Sequence, residues 1–333
     1  MRAPKAAKPK VTDRENLQAA TSAIVGADSL ALACHVGPDG DALGSMLGLA
    51  EAAANAGKVV KASFGSPFAV PDNLAFLPVE HLVPPGDIPK KPEVLVVLDA
   101  GSSERLGELS SNAARAETVV VLDHHVTNEG FGDIAIVDPS AAATGEIVFD
   151  LLNLAEWEIT PSIATSLLTA LVTDTGRFQY SNTTPRTLQI ASELVASGAL
   201  PTTIGQHVYE EAPFGYLVAA SAALARATLD EELSVVSTSI LQEDLNAAGI
   251  DWGDIDGLID TIRLAREADV AVLAKTHDDG RIKVSMRSRG ATDVGSLAAS
   301  MGGGGHRLAA GFTADGDPDT VIARVLAQLG NYR

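Results

Sequence analysis

Histidine and aspartate side chains bunch at four places along this chain. "HVGPDGDALGS" at 35–45 carries His35, Asp39 and Asp41 directly after the apolar run "LALAC". "EVLVVLD" ends in Asp99, "ETVVVLD" ends in Asp123 and continues into His124 and His125, and "SLLTALVTD" delivers Asp174. Each alone has an ordinary structural explanation, because Asp closes strands, caps helices and shapes turns by accepting hydrogen bonds from nearby backbone N–H groups. Together they ask for more. Converging carboxylates repel one another unless they are neutralised, and His plus carboxylate without cysteine suits a hard or borderline cation of octahedral preference, Mn²⁺ or Mg²⁺. The ligand count suits two ions. Such a pair can lower the pKa of a bridging water and clamp the attacking and leaving oxygens of a phosphoryl group, so hydrolysis of a phosphate ester is the chemistry implied.

Those side chains need a scaffold, and the apolar pattern predicts one. "SLALACH", "KVVKASF", "EVLVVLD", "ETVVVLD" and "DIAIVD" are runs of strand length; the first two flank an alanine-rich stretch of helix length. Near-continuous apolar strands alternating with helices predict a parallel sheet covered on both faces, and ligands of such a sheet bind outside the carboxyl ends of its strands, where the His and Asp residues fall. At 333 residues the chain is long enough for two cores. The reading divides it into a disordered tail (1–14), a metal-binding catalytic domain (15–198), a helical connector (199–226) and a smaller α/β domain (227–333) with a hairpin turning at Asp279-Gly280. The fold class is therefore α/β, a parallel-sheet domain followed by a smaller α/β domain, with a cleft expected between them.

The formal charge of −19 argues against a protein that coats long nucleic acid. Residues 275–307 run against that balance, with Lys275, Arg281, Lys283, Arg287, Arg289 and Arg307 against Asp278, Asp279 and Asp293, which makes this segment the place for an anion to dock. No apolar window is long enough for a membrane span and "MRAPKAAKPK" lacks the apolar stretch of a secretory signal, so a cytoplasmic protein is expected. The single cysteine, Cys34, reads as a buried side chain without chemistry. Thr144 and Glu146 read as the cap and first turn of a helix.

The set "HVGPDGD", "VVLDAG", "VLDHH" and "LVTDTGRF", in this order, resembles the four motifs of the DHH phosphoesterases, and "GGGGHRLAAGF" resembles the signature of the DHH-associated domain. The resemblance implies that His35, Asp39 and Asp99 hold one divalent cation and that Asp41, Asp99, His124 and Asp174 hold the other. It implies that His125 faces the substrate phosphate as hydrogen-bond donor or general acid, with Asp123 orienting a neighbouring histidine. Gly303, Gly304 and Gly305 are expected to let the backbone approach a terminal phosphate and turn N–H groups toward it, with His306 and Arg287 beside it and Arg105 as a further phosphate contact. Arg287 and Arg289 would share a strand face. The implied substrates are short RNA or small nucleotides, and the implied assembly is a homodimer. Two alternatives stay open at this level: a DHH-type inorganic pyrophosphatase, disfavoured by "GGGGHRLAAGF", and a non-catalytic nucleotide-binding sensor, which degenerate ligands would mark.

Overall fold

The computed structural model describes residues 14–128, 130–255, 257–276 and 280–332. The tail expected over 1–14 lies outside the described residues except for Arg14, which opens the first helix; Asp279 of the expected hairpin turn also lies outside them. The chain forms two compact units that divide between Glu210 and Glu211.

In the first unit, strands β1 (Ser29–Cys34), β2 (Val59–Phe64), β3 (Val94–Leu98), β4 (Thr118–Asp123) and β5 (Ile134–Val137) form one sheet of order β2-β1-β3-β4-β5. All four pairings are parallel, as the apolar runs predict. The order reverses between β1 and β3, and this switch point is where a doubly wound sheet opens a crevice at its carboxyl edge. Helices α1 (Arg14–Gly26), α2 (Gly40–Asn55), α3 (Ser110–Ala113), α4 (Thr144–Leu154), α5 (Pro161–Asp174), α6 (Pro185–Ala196) and α7 (Pro201–Gly205) complete the unit. Alternation along the strands serves two cores. Leu32, Cys34, Val96 and Leu98 pack with α2, α4 and α5, whereas Ala31, Ala33, Leu95 and Val97 meet Ile88, Leu106 and Leu109. The second face is thus closed mainly by short 3₁₀ segments and loops rather than by long helices.

Of the expected connector, Pro201–Gly205, Gln206–Glu210 and Phe214–Ala225 are helical, and they are shared out between the two units. Ile204 of α7 joins the core of the first unit, and Ala219, Ala220 and Ala223 of α8 (Phe214–Ala225) join a core of the second. The second unit has a mixed sheet of order β10-β11-β9-β8-β7-β6, made of β6 (Thr228–Asp230), β7 (Val235–Ile240), β8 (Val270–Thr276), β9 (Arg281–Ser288), β10 (Gly304–His306) and β11 (Ala309–Asp315). Among the described residues of this sheet, β7 and β8 pair in parallel and the other neighbours are antiparallel. One face packs on α11 (Val294–Ser300) and α12 (Pro318–Leu329), the other on α8, α9 (Gln242–Ala248) and α10 (Leu258–Ile262).

Candidate metal centre

The loop after β1 places His35, and Asp39 then caps α2, its Oδ1 accepting from the N–H groups of Asp41 (3.1 Å) and Ala42 (3.0 Å). That cap leaves Oδ2 to face the imidazole, at 3.9 Å from His35 Nε2. Asp99 follows β3 with φ +54, a left-handed conformation that is costly for a residue with a β-carbon and recurs where geometry serves a site. His124 follows β4, and Asp174 is the last residue of α5.

These side chains converge on two donor sets that share one carboxylate. Asp99 Oδ2 lies 3.5 Å from His35 Nε2, while Asp99 Oδ1 lies 3.6 Å from His124 Nε2. His124 Nε2 is also 3.7 Å from Asp41 Oδ2 and 3.6 Å from Asp174 Oδ2. Both imidazoles are set by backbone carbonyls, which can only accept: His35 Nδ1 donates to Val36 O (3.0 Å) and His124 Nδ1 to Ala141 O (3.2 Å). With Nδ1 so committed, each ring presents Nε2 to the carboxylates, and loss of the Nε2 proton leaves the tautomer a metal ligand needs. Donors about 2.1 Å from an octahedral ion stand roughly 3 to 4 Å apart, so the gaps seen here fit one ion in each set.

Charge says the same. His35, Asp41, Asp99, Asp123 and His124 are all buried. Burial raises the Asp41 carboxyl well above the ordinary range, with Asp99 and Asp174 adding to it. Asp174 is pushed up to about 7, by burial and then by Asp39 and Asp99 against His124. Burial would lower His124, yet Asp174, Asp41 and Asp99 outweigh it and push it up to about 9. Asp99 goes the other way: burial is overcome by His35, His125 and His124, which hold it below the usual carboxylate range. The cluster thus holds more negative charge than the fold neutralises, and it draws in protons or cations.

Asp123 lies 2.7 Å from His125 Nδ1 through Oδ1 and accepts from Asn128 Nδ2 at 2.5 Å through Oδ2, so both of its oxygens are committed. The expected pairing of Asp123 with a histidine falls on His125. Arg105 is exposed on the turn after Asp99, near enough for its charge to oppose a proton on His35, and its carbonyl accepts from Val36 N–H.

Three features escaped the sequence reading. Thr144 does open α4, but Ala143 is the cap residue and makes no side-chain cap bond. The helix end is satisfied instead from a distant segment, with Thr144 N and Gly145 N donating to Asp41 at 2.7 and 3.0 Å and Thr144 Oγ1 donating to Asp99 Oδ1 at 3.2 Å. The positive end of α4 thus faces two carboxylates of the cluster. Second, α2 carries Gly40, Gly44 and Gly48 along one stripe against α5; a β-carbon on Gly44 would stand 2.3 Å from Ser166 O. Spacing of four along a helix was the available signal. Third, Asn182 Nδ2 donates to the carbonyls of Asp174 (3.1 Å) and Ala142 (3.0 Å), tying the end of α5 to the loop before α4.

In the second unit, Arg287 of β9 registers with Ala309 of β11, which registers with His306 of β10; the next row on that face is Ser285, Gly311 and Gly304. Arg287 and His306 therefore flank a strip of small residues on one side of the sheet, roughly 10 Å apart across two strand spacings. Of the three glycines expected near a phosphate, Gly303 has its N–H already committed: Gly302 N and Gly303 N donate to Ala299 O and Ala298 O at the end of α11. Gly303 and Gly305 are glycines because a β-carbon would meet Gly311 O at 2.1 Å and Ala309 O at 2.6 Å; Gly304 alone of the three has open space beside it. Arg289 lies beyond the end of β9, and its guanidinium donates to Arg263 O, so it does not share the strand face of Arg287.

Residues 29–173 match the DHH family, N-terminal domain, and residues 234–331 match the DHHA1 domain. The bifunctional oligoribonuclease and PAP phosphatase NrnA of Thermus thermophilus is 35% identical over 315 residues, covering 89% of this chain and 87% of that protein. The cyclic-di-AMP phosphodiesterase GdpP of Geobacillus thermodenitrificans is 28% identical over 315 residues, covering 85% of this chain and 44% of that longer protein. Among solved structures, an exopolyphosphatase-related protein from Bacteroides fragilis superposes with a TM-score of 0.88 at 26% identity, covering 96% of this chain and 98% of that one.

Proposed function

This chain belongs to the DHH family, and from that premise we propose that it is a metal-dependent phosphoesterase of short nucleotides. Its substrates are short oligoribonucleotides, cleaved to mononucleotides, and 3'-phosphoadenosine 5'-phosphate (PAP), cleaved to AMP, with pApA and cyclic di-AMP as further substrates; the names of the relatives support this choice. The observation that carries the reading is the shared carboxylate, Asp99, whose two oxygens face His35 and His124 separately.

His35, Asp39 and Asp99 would hold one ion, and Asp41, Asp99, His124 and Asp174 the other. Two ions there, Mn²⁺ before Mg²⁺, would supply Lewis-acid charge against phosphoryl oxygens and lower the pKa of water. The protein's own groups do the rest. With Nδ1–H committed to Asp123, His125 has Nε2 as the ring atom that can give a proton to the leaving oxygen, and buried Asp123 fixes the orientation of the ring. Arg105 contacts a phosphate from the first unit; in the second, Arg287 and His306 flank the small-residue strip where the remainder of the substrate is recognised. No helix among the described residues is long and apolar enough to cross a membrane. The same reading puts a homodimer in the cytoplasm and leaves long nucleic acid outside the substrate range, because so acidic a chain repels a polymer while a short fragment meets only local cations.

A substrate panel of PAP, pApA, cyclic di-AMP, a five-residue RNA and pyrophosphate, run with Mn²⁺ and with Mg²⁺, tests this. Release of AMP from pApA and PAP is the expected result; turnover of pyrophosphate alone, or of none, refutes the reading.

A further inference from the structure

Aromatic residues make up only 4% of this chain, yet two of its four tyrosines lie against one turn beside the metal cluster. After Asp174 ends α5, Gly176, Arg177 and Phe178 take φ of +54, +62 and +62, a left-handed turn in which two residues carry β-carbons. Several contacts impose it. Arg177 N donates to Val172 O at 2.7 Å, Phe178 N donates to Thr175 Oγ1 at 3.0 Å, and the Tyr180 ring lies where any β-carbon on Gly176 would stand. The turn carries Arg177 to the surface, with its guanidinium carbon 4.6 Å from the centroid of the Tyr209 ring. Tyr209 is 38% exposed and sits in a single π-helical turn, Gln206–Glu210. Its hydroxyl points to the same Val172 carbonyl at 3.4 Å, and His207 of that turn stacks on Phe76 at 4.8 Å between centroids. π-turns are rare and concentrate at functional positions.

The Arg177 guanidinium forms no hydrogen bond or ion pair among the described residues, and one of its faces is covered by Tyr209. What remains is a flat, cationic face backed by an aromatic ring, three residues from Asp174. Surfaces of this kind stack unpaired nucleobases, and they do so without choosing among bases, because every base has a π-face.

We propose that Arg177, held flat by Tyr209, is a nucleobase platform on which a base next to the scissile phosphate stacks. The inference rests on the phosphoesterase reading above and adds a specificity element to it. Its role is to favour substrates with a base over those without one, whichever base it is.

The test compares kcat/KM for pApA with that for an analogue lacking one base, in wild type, Arg177→Gln, Tyr209→Leu and Tyr209→Phe, with Mn²⁺. Loss of one stack costs roughly 5- to 100-fold, so the preference for pApA should fall by that factor in Arg177→Gln and Tyr209→Leu and return in Tyr209→Phe. Equal loss on both substrates, or a preference that survives in both variants, overturns the platform. Calorimetric binding of the same two compounds separates the two readings. A wild type that binds pApA with a base preference but hydrolyses neither compound overturns the activity alone, and one that hydrolyses both without preference overturns the platform alone.

Discussion

Replacement of Gly44 by alanine isolates the feature that sets the second donor set. Asp41 lies in the first turn of α2 and Asp174 closes α5, so the approach of these two helices fixes how near the two carboxylates stand. At Gly44 a β-carbon would lie 2.3 Å from Ser166 O, 3.1 Å from Ala170 N and 3.3 Å from Ala170 Cβ. Ordinary contact begins at 3.4 Å, so α5 must give way by about 1 Å. Overpacking by one methyl in a close-packed core costs about 1 to 3 kcal/mol, and alanine returns about 1 kcal/mol through its better helix propensity. At about 2 to 4 °C per kcal/mol for a unit of this size, the melting temperature should fall by no more than about 8 °C. The functional loss should be larger than that suggests. Asp174 Oδ2 stands 3.6 Å from His124 Nε2, and a shift of about 1 Å between reacting or liganding groups costs on the order of 100-fold in rate. The assay is Mn²⁺-dependent turnover of pApA, with ion stoichiometry by calorimetry and thermal melting on the same samples. Gly26→Ala, where no atom lies within 4 Å of the added carbon, is the control. Gly44→Ala with a lowered melting temperature but wild-type turnover would refute the claim that this glycine positions Asp174.

Asp99→Asn should lower the binding stoichiometry from two ions to none, whereas His35→Gln should leave one; equal loss from both, read by calorimetry, would contradict a single bridging carboxylate. Ion affinity should rise with pH between about 6 and 8, because without metal His124 holds its proton up to about 9 and Asp174 up to about 7, and each proton must leave before the group can ligate. Titrations in buffers of different ionisation enthalpy should then report proton release, and a pH-independent affinity would show that the carboxylate cluster is not protonated when empty. Asn128→Ala removes the 2.5 Å donor from Asp123 and should lower kcat by roughly 10- to 100-fold while both ions still bind. Loss of an ion in that variant would mean that Asp123 supports a metal site rather than His125. Arg287→Ala should raise KM for pApA and leave kcat near wild type, since Arg287 sits on the sheet of the second unit; an equal fall in kcat would contradict that division.

Local pattern was enough for a good part of this protein. The parallel sheet was legible because a strand buried on both faces must be apolar nearly throughout, and β1, β3 and β4 are so, whereas the edge strand β2 carries Lys61 and Ser63 and was marked by its length and its place after a helical stretch. The gathering of His35, Asp39, Asp41, Asp99, His124 and His125 at one sheet edge was legible because each follows a strand of that sheet and Asp123 closes one. Only the tertiary structure decided what depends on contacts between segments far apart in sequence. The end of α4 is satisfied by Asp41, 103 residues away, so no local cap announces it. At Gly303 and Gly305 β11 passes too close for a β-carbon, a demand for glycine that the run of glycines by itself does not display. Gly44 looks like a weak point in a helix until α5 is laid against it. Residue type and order follow local rules that a sequence displays, whereas the closeness of two helices or two strands is set by atoms from both, and neither segment alone records it.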